Sequence, residues 1–267
     1  MSDEAGSPRL LARVRGPESD VAFAVTDAAC WVAVLRRPGT AGDTVGTFRA
    51  SCSSVEADAA LEAARRALAA QHDGESGDVG WSIDLDGRSV LVSHGTAVDE
   101  GLDAAVDPLI ARALASPVAA VRLEAHVVDV PGMGAMLGFT FASLGTEPTS
   151  LRFDADRFQV TDAAGSAFAL PAPSLGLVDG DGTLRDGLHA TAELPADRRA
   201  TCSFPLGAAG AGGEDAGDDE RGGLVGADLL GAALSGSIAL AGPWSADGIQ
   251  PFTAQASVQT VPKGALG

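Results

Sequence analysis

Tyrosine is absent from this chain of 267 residues, and aromatic residues make up only 4% of it, as nine phenylalanines and three tryptophans. The apolar residues are mostly Ala, Val and Leu, and there are 34 glycines. This bias is typical of high-GC bacterial genomes, so it indicates codon usage more than function. A hydrophobic fraction of 46% still lies in the globular range, and the length suits one large domain or two ordinary ones.

Basic residues are also few. Lys and Arg number 18 against 36 Asp and Glu, which gives a formal net charge of −18. Such a field repels phosphate backbones and anionic lipid surfaces, so nucleic-acid and membrane partners are disfavoured. Two interpretations of the acidity stay open: it attracts a basic partner, or it keeps an Ala-rich protein soluble.

The three cysteines, Cys30, Cys52 and Cys202, are too few and too far apart for a disulfide framework or a zinc cage. Cys30 and Cys202 lie in apolar, strand-like runs, where a free thiol usually packs as a small hydrophobic group. The sequence therefore predicts no metal site built on cysteine and no cofactor.

Long apolar runs are missing as well. The least charged stretches, residues 130–146 and 229–246, fall short of the roughly 20 apolar residues of a membrane span. The first residues are acidic and lack the apolar centre of a secretory signal. We therefore expect a cytoplasmic protein.

Motifs for catalysis are lacking too. There is no G-x-S-x-G sequence, and the glycine-rich residues 207–213 lack the Lys-Ser/Thr pair of a phosphate-binding loop. The histidines are scattered, at His72, His94, His126 and His189. No catalytic residues are predicted, although a hydrolase that uses a dispersed Cys or Ser with one His stays open as an alternative.

One acidic pattern could hold a cation. Asp179, Asp181 and Asp186 alternate with glycines, and rings of carboxylates bind calcium. Leu177 and Leu188 occupy positions where a calcium loop of the EF-hand type would have polar ligands. A Gly-Asp turn between strands is favoured, and whether this turn binds a cation stays open.

The first 117 residues alternate between strand and helix signals. A short helix within residues 7–15 is followed by predicted strands at 21–26, 31–36 and 44–50. Ser53 and Glu56 form a capping box that begins a helix. Asp86-Gly87 predicts a hairpin within 81–94, and a second helix covers about 99–115, with Pro108 as either a kink or a restart.

After residue 117 the pattern becomes that of strands alone. Apolar and polar residues alternate from Val121, and again from Leu137, Leu151, Ala200 and Ala254. An acidic glycine-rich loop is predicted at about 207–226, where only Arg221 opposes five carboxylates. The predicted fold class is therefore α+β, with a mixed α+β module at 1–117 and an antiparallel β-sandwich at 118–267.

Two resemblances follow from these elements. Residues 79–92, VGWSIDLDGRSVLV, and the helix after them resemble the hairpin and last helix of the type III secretion chaperone-like fold, which includes the YbjN-type peptide-binding proteins of bacteria. This resemblance covers about two-fifths of the chain and implies that the protein holds a peptide or protein without chemistry. The stretches 158–165 and 194–204 resemble the Ig-like sandwiches of bacterial proteins, an architecture that fixes no function.

The resemblance leads to a non-catalytic binding protein, chaperone-like or adaptor-like, with a protein or peptide partner that could be basic. Trp31 and Trp81 are the candidate partner-binding residues, because tryptophan is enriched at interface hot spots. In a chain so poor in aromatics they could equally anchor a core. A structural component of a bacterial assembly is the second alternative, beside the hydrolase.

Overall fold

The chain is described by a computed structural model, and it consists of two helices and seventeen strands in the part that the structure describes. The described residues are 8–15, 20–27, 29–36, 43–70, 79–93, 95–130, 134–153, 159–162, 167–169, 174–178, 184–186, 191–196, 198–205, 229–244 and 248–260. The predicted acidic loop at 207–226 lies outside them.

Six strands of the N-terminal half form an antiparallel sheet in the order β6–β5–β1–β2–β3–β4. They are β1 (Leu10–Arg15), β2 (Asp20–Val25), β3 (Ala29–Arg36), β4 (Thr44–Ser51), β5 (Val79–Leu85) and β6 (Arg88–Ser93). The predictions of β2, β3, β4 and the β5–β6 hairpin are confirmed. Asp86 and Gly87 both have positive φ, 52° and 74°, as a primed two-residue turn requires.

The helix predicted within residues 7–15 is wrong, because that segment is strand β1. Leu10 and Ala12 are buried on one face, while Leu11 and Arg13 lie on the other. β1 is hydrogen-bonded to β2 on one side and to β5 on the other. A ladder on both sides outweighs the modest helix propensity of such a short segment.

The other two predicted helices are present, as α1 (Ser54–Ala69) and α2 (Ala97–Leu114). They pack on one face of the N-terminal sheet, and α2 continues through Pro108 without a break. The core between helices and sheet includes Phe23, Val32, Leu61, Trp81, Ile83, Leu102 and Leu109, each at most 2% exposed. We call this side of the sheet the helix side and the opposite side the outer face.

The predicted capping box at the start of α1 is confirmed and extends to the end of α2. The Glu56 amide donates to Ser53 Oγ at 3.3 Å, and the Ser53 amide donates to Glu56 Oε2 at 2.9 Å. Arg112 Nη1 donates to Glu56 Oε1 at 2.7 Å, and its Nη2 donates to the carbonyl of Ser51 at 3.0 Å. The hydrogen bonds from Arg112 and Ser53 lower the pKa of Glu56 from its ordinary value near 4.5 to about 2.

This depressed pKa predicts a pH dependence of stability. A carboxyl whose pKa is lower in the folded state stabilises the protein above about pH 4.5, and the contribution is lost as the pH falls toward about 2. We expect Glu56→Gln to lower the melting temperature at pH 6 and to flatten its dependence on pH in that window. Thermal melts of both proteins from pH 6 to 2 measure this. Equal slopes for the two proteins would contradict the prediction, and Glu62→Gln is the control on the exposed side of α1.

The remaining strands belong to the C-terminal half. They are β7 (Pro117–Val130), β8 (Gly134–Ser143), β9 (Thr149–Phe153), β10 (Gln159–Asp162), β11 (Ala167–Ala169), β12 (Ser174–Val178), β13 (Leu184–Asp186), β14 (Thr191–Leu194), β15 (Arg199–Pro205), β16 (Leu229–Ala239) and β17 (Ile249–Thr260). The strands predicted from Val121, Leu137, Leu151, Ala200 and Ala254 are confirmed as β7, β8, β9, β15 and β17.

A single long strand, β7, joins the two halves. Its first residues pair antiparallel with β4, and its later residues pair antiparallel with β8 and parallel with β17. The N-terminal sheet therefore continues as β4–β7–β8–β15–β12–β13. A second sheet, β14–β9–β16–β17, has the β10–β11 pair beside the start of β16.

Asp43 connects three strands at this junction. Its carboxylate accepts a hydrogen bond from the Gln255 amide at 2.7 Å, and its own amide donates to the Gln255 carbonyl at 2.8 Å. Its carbonyl accepts from the Leu123 amide at 3.0 Å. Asp43 is only 3% exposed, so β4, β7 and β17 are held together by buried polar contacts.

A second core lies between the two sheets and includes Leu123, Phe139, Phe141, Leu151, Ile238 and Phe252. Leu35 of β3 and Val45 of β4 belong to it as well. The outer face of the N-terminal sheet is therefore partly covered by C-terminal residues.

The α+β fold class predicted from the sequence is wrong. Strands dominate the described residues, with only two helices. Because β17 pairs with both β7 and β16, the two sheets are joined by hydrogen bonds into one large mixed sheet. The reason is that β4 and β7 pair across the point where the residue pattern changes, so the helices cover only one end of a β structure.

Candidate functional site

The two predicted binding residues lie on opposite faces of the N-terminal sheet. Trp81 in β5 is 2% exposed on the helix side, and its Nε1 donates to Asp103 Oδ1 of α2 at 3.0 Å. Trp31 in β3 is on the outer face and is 5% exposed. The structure therefore does not bring the two indoles together.

Trp31 is covered by the segment that follows β16. A Cβ on Gly242 would lie 2.6 Å from Trp31 Cε3, so this glycine allows the segment to approach the ring closely. Trp244 packs against the same cluster, and its Nε1 donates to the Ala241 carbonyl at 2.8 Å. The Arg49 guanidinium lies 5.0 Å from the Trp31 ring centroid, within range of a cation–π interaction.

Beside this cluster a groove of about 240 Å³ opens between the outer face and the segment after β16, and we call it the outer groove. Its residues come from β1, β2, β3, β5 and the two sides of the β16–β17 connection. They are Leu11, Ala12, Arg13, Ala22, Leu35, Ser82, Asp84, Leu240, Trp244 and Gln250. The lining is therefore mostly apolar, with a few polar groups, as in sites that bind side chains.

The polar groups of the outer groove are partly engaged with each other. Arg13 donates from Nε and Nη2 to the two carboxylate oxygens of Asp20, both at 2.6 Å, and its Nη1 lies 3.5 Å from Gln250 Oε1. Asp84 accepts a hydrogen bond from the Ser89 hydroxyl. The Arg13 charge is thus neutralised locally, whereas Asp84 is exposed and has no cationic partner among the described contacts.

Strand β6 lies at the side of the groove that is farthest from Trp31. Within the described residues it is hydrogen-bonded on one side only, to β5. Val90 and Val92 are buried on the helix side, whereas Leu91 stands on the outer face and is 67% exposed. Leu91 pairs with the groove residue Ser82, so one exposed aliphatic side chain stands directly beside the groove.

Two thiols lie near the capping box on the helix side. Cys30 is buried and its Sγ is 3.8 Å from the Leu109 carbonyl, while Cys52 is partly exposed between Ser51 and Ser53. Burial raises the pKa of both thiols. The neighbouring Arg112 opposes this effect without reversing it, so neither has the lowered pKa of an activated nucleophile.

The raised pKa values predict slow alkylation. In a Cys202→Ser background we expect Cys52 to react with iodoacetamide at pH 8 more slowly than a thiol in an unstructured peptide, because its thiolate fraction is smaller. Cys30 should react only after unfolding. Rates from pH 7 to 10, followed by mass spectrometry, test this. A Cys52 rate that levels off below pH 8 would show that its pKa is lowered instead.

His126 is the only one of the four histidines within the described residues, because His72, His94 and His189 lie outside them. It lies in β7 against Gly138 of β8, and burial lowers its pKa. Cys30 and Cys52 are on the helix side of the N-terminal sheet, a different part of the fold. The described residues therefore do not assemble the dispersed Cys-His pair that the sequence left open.

The turn of Asp179, Asp181 and Asp186, for which cation binding was left open, lies outside the described residues apart from the backbone of β13 at its end. Within the described part of the chain, no group of three or more His, Cys, Asp or Glu side chains is placed to hold a metal ion.

A second cavity, of about 320 Å³, lies between β10, β16 and β17. It is lined by small or polar residues such as Thr161, Gly231 and Ser257, and by Asp43. Its one charged residue, Asp43, is engaged at the strand junction by the Gln255 amide.

Neither described helix is long and apolar enough to cross a membrane. No protein-family model matches the chain, and neither a curated protein nor a solved structure is detectably similar to it.

Proposed function

We propose that the protein is a non-catalytic accessory protein, chaperone-like or adaptor-like, that binds a partner polypeptide at the outer groove. The observation that carries this proposal is an open groove with a mostly apolar lining and an exposed carboxylate, Asp84, beside which the aliphatic Leu91 is exposed on the neighbouring strand. Apolar grooves with a few polar groups are suited to side chains of peptides. The resemblance of residues 79–92 to peptide-binding chaperone-like proteins supports the same function.

The charge of the chain supports a basic partner. A net charge of −18 attracts cationic segments over several ångströms and raises the association rate at low salt. We also propose a cytoplasmic location, which the unpaired thiols of Cys30 and Cys52 support, since reducing compartments keep cysteines free.

The test is selection from a library of random peptides on the purified protein. We expect the wild-type protein to enrich peptides with basic and aliphatic residues. Ala22→Phe, which places a large ring in the outer groove, should weaken binding of the selected peptides by roughly tenfold or more. Ala59→Phe on the exposed side of α1 is the matched control and should leave binding unchanged.

Two results would count against this function. A selection that returns no consistent sequence would argue against a polypeptide ligand. Selected peptides that bind Ala22→Phe and wild type equally would place the binding surface elsewhere. Far-UV circular dichroism and melting temperature of each variant show whether it is folded.

A further inference from the structure

Strand β6 lies next to β5, which lines the outer groove, and its other side is unpaired among the described residues. In an antiparallel sheet every strand has backbone N–H and C=O groups pointing to both sides, and β6 uses only one side among the described residues. An extended segment of another chain can add to such an edge as a further strand. The main-chain hydrogen bonds then give affinity, and side chains on alternate positions give specificity.

The register of β5 and β6 determines which side chains such a segment would contact on the outer face. Asp84 pairs with Ser89, and Ser82 pairs with Leu91. Ser89 and Leu91 are two positions apart, so both point to the outer face. An added strand would therefore place one residue beside Ser89, in line with Asp84, and a second residue beside Leu91, two positions away.

The distances allow a charged contact for the added residue that lies beside Ser89. Neighbouring strands lie about 4.8 Å apart, so the added strand would be roughly 9.6 Å from β5. A lysine or arginine side chain that extends over the small Ser89 can reach the Asp84 carboxylate. Asp84 is exposed and accepts a hydrogen bond only from the Ser89 hydroxyl among the described contacts.

The position beside Leu91 favours an apolar residue in the added strand. Leu91 is 67% exposed, and a cross-strand aliphatic neighbour would remove it from water. The surrounding charges favour a cationic segment, since Asp84 and Asp86 are exposed beside the start of β6 and Arg88 is the one base of the hairpin.

We infer that β6 is the docking edge for an extended basic segment of the partner polypeptide, which adds as a strand and carries a Lys or Arg and an aliphatic residue two positions apart. The inference rests on the proposed function and specifies how the partner binds. The basic side chain lies over Ser89 toward Asp84, and the aliphatic side chain packs on Leu91.

The probe is a fluorescein-labelled short peptide of alternating Ser and Thr that contains one Val and one Arg two positions apart, measured by fluorescence anisotropy. Replacing its Arg with Glu, or making Val and Arg adjacent so that they face opposite sides, should weaken binding by roughly tenfold. Two further forms of the peptide carry N-methyl groups on alternate backbone amides. The form methylated on the amides that face β6 cannot donate hydrogen bonds to that strand and should lose binding. The form methylated on the amides that face away should retain it.

Protein variants locate the site. We expect Leu91→Ser and Asp84→Asn each to weaken the probe by about fivefold to tenfold. Val55→Ser is the matched control, because Val55 is a β-branched aliphatic residue that is 77% exposed on α1. It should leave the affinity unchanged.

The outcomes separate the inference from the proposed function. Binding that ignores N-methylation and both β6 variants, while Ala22→Phe abolishes it, would overturn strand addition and leave polypeptide binding intact. A probe that does not bind up to about 1 mM, together with a failed library selection, would overturn both. Selective loss with one N-methylated form, Leu91→Ser and Asp84→Asn supports the inference.

Discussion

Replacing Gly46 with Ala should lower the free energy of unfolding by on the order of 3 kcal/mol. Gly46 lies in β4 with φ of 132°, a conformation that residues with a Cβ rarely adopt. An added Cβ would be 2.3 Å from the Ala119 carbonyl oxygen and 2.4 Å from Ala120 Cα, both in the backbone of β7. Relief requires β4 and β7 to separate at the pairing that joins the two halves. Urea titrations followed by circular dichroism measure the loss.

Gly87→Ala is the matched control for this prediction. Gly87 also has positive φ, 74°, but nothing lies within 4 Å of its missing Cβ. It should cost only the conformational part, about 1–2 kcal/mol. If the two substitutions cost the same, close packing of β4 against β7 is not what requires glycine at position 46.

Trp81→Ala should destabilise the protein by about 3–5 kcal/mol, as removal of a large buried aromatic side chain does. Trp81 is 2% exposed among the core residues of the helix side, and its indole donates to Asp103 of α2. The substitution leaves a cavity between β5 and the helices. The measurement is again the free energy of unfolding in urea.

Trp81→Phe separates packing from the hydrogen bond. It retains most of the ring and should cost about 1–2 kcal/mol, mainly through the loss of the donor to Asp103. A loss below about 1 kcal/mol for Trp81→Ala would contradict a core role. If Trp81→Phe abolishes peptide binding in a folded protein, then Trp81 acts in recognition as the sequence suggested.

Local signals with a clear mechanism were predicted well. Ser53 and Glu56 form the capping box, and Asp86 and Gly87 form the primed turn. Each depends on a few adjacent residues whose side chains or φ values decide the structure. The same holds for alternating runs such as β7, where every second residue is apolar.

Elements that depend on distant partners were not predicted. Strand β1 is too short for its pattern to distinguish a helix from a strand, and its partner β5 is about 70 residues away. Strand β16, LLGAALSGSIA, has small residues where polar ones would mark the alternation. The fold class was wrong for the same reason, since the β4–β7 and β7–β17 pairings leave no local trace in the sequence.

The candidate site was only partly foreseeable. Trp31 and Trp81 are both strand residues of the N-terminal sheet, but the position of each in its strand puts Trp31 on the outer face and Trp81 on the helix side. The outer groove brings Leu11 together with Trp244 and Gln250, which is a matter of tertiary structure. The exposed Leu91 could have been noticed, because it interrupts the polar positions Ser89 and Ser93 of its strand.

The position of β17 affects how the protein folds during synthesis. The ribosome releases β7 and β16 before residues 249–260, yet both strands need β17 as a neighbour. Until then β16 and the later part of β7 each have an edge with unpaired backbone groups, and such edges pair readily with other chains. Strands β1 to β6 and the two helices packed on them are complete by residue 114 and can assemble early. The nascent protein is therefore most prone to aggregation in the interval between the appearance of β16 and that of β17.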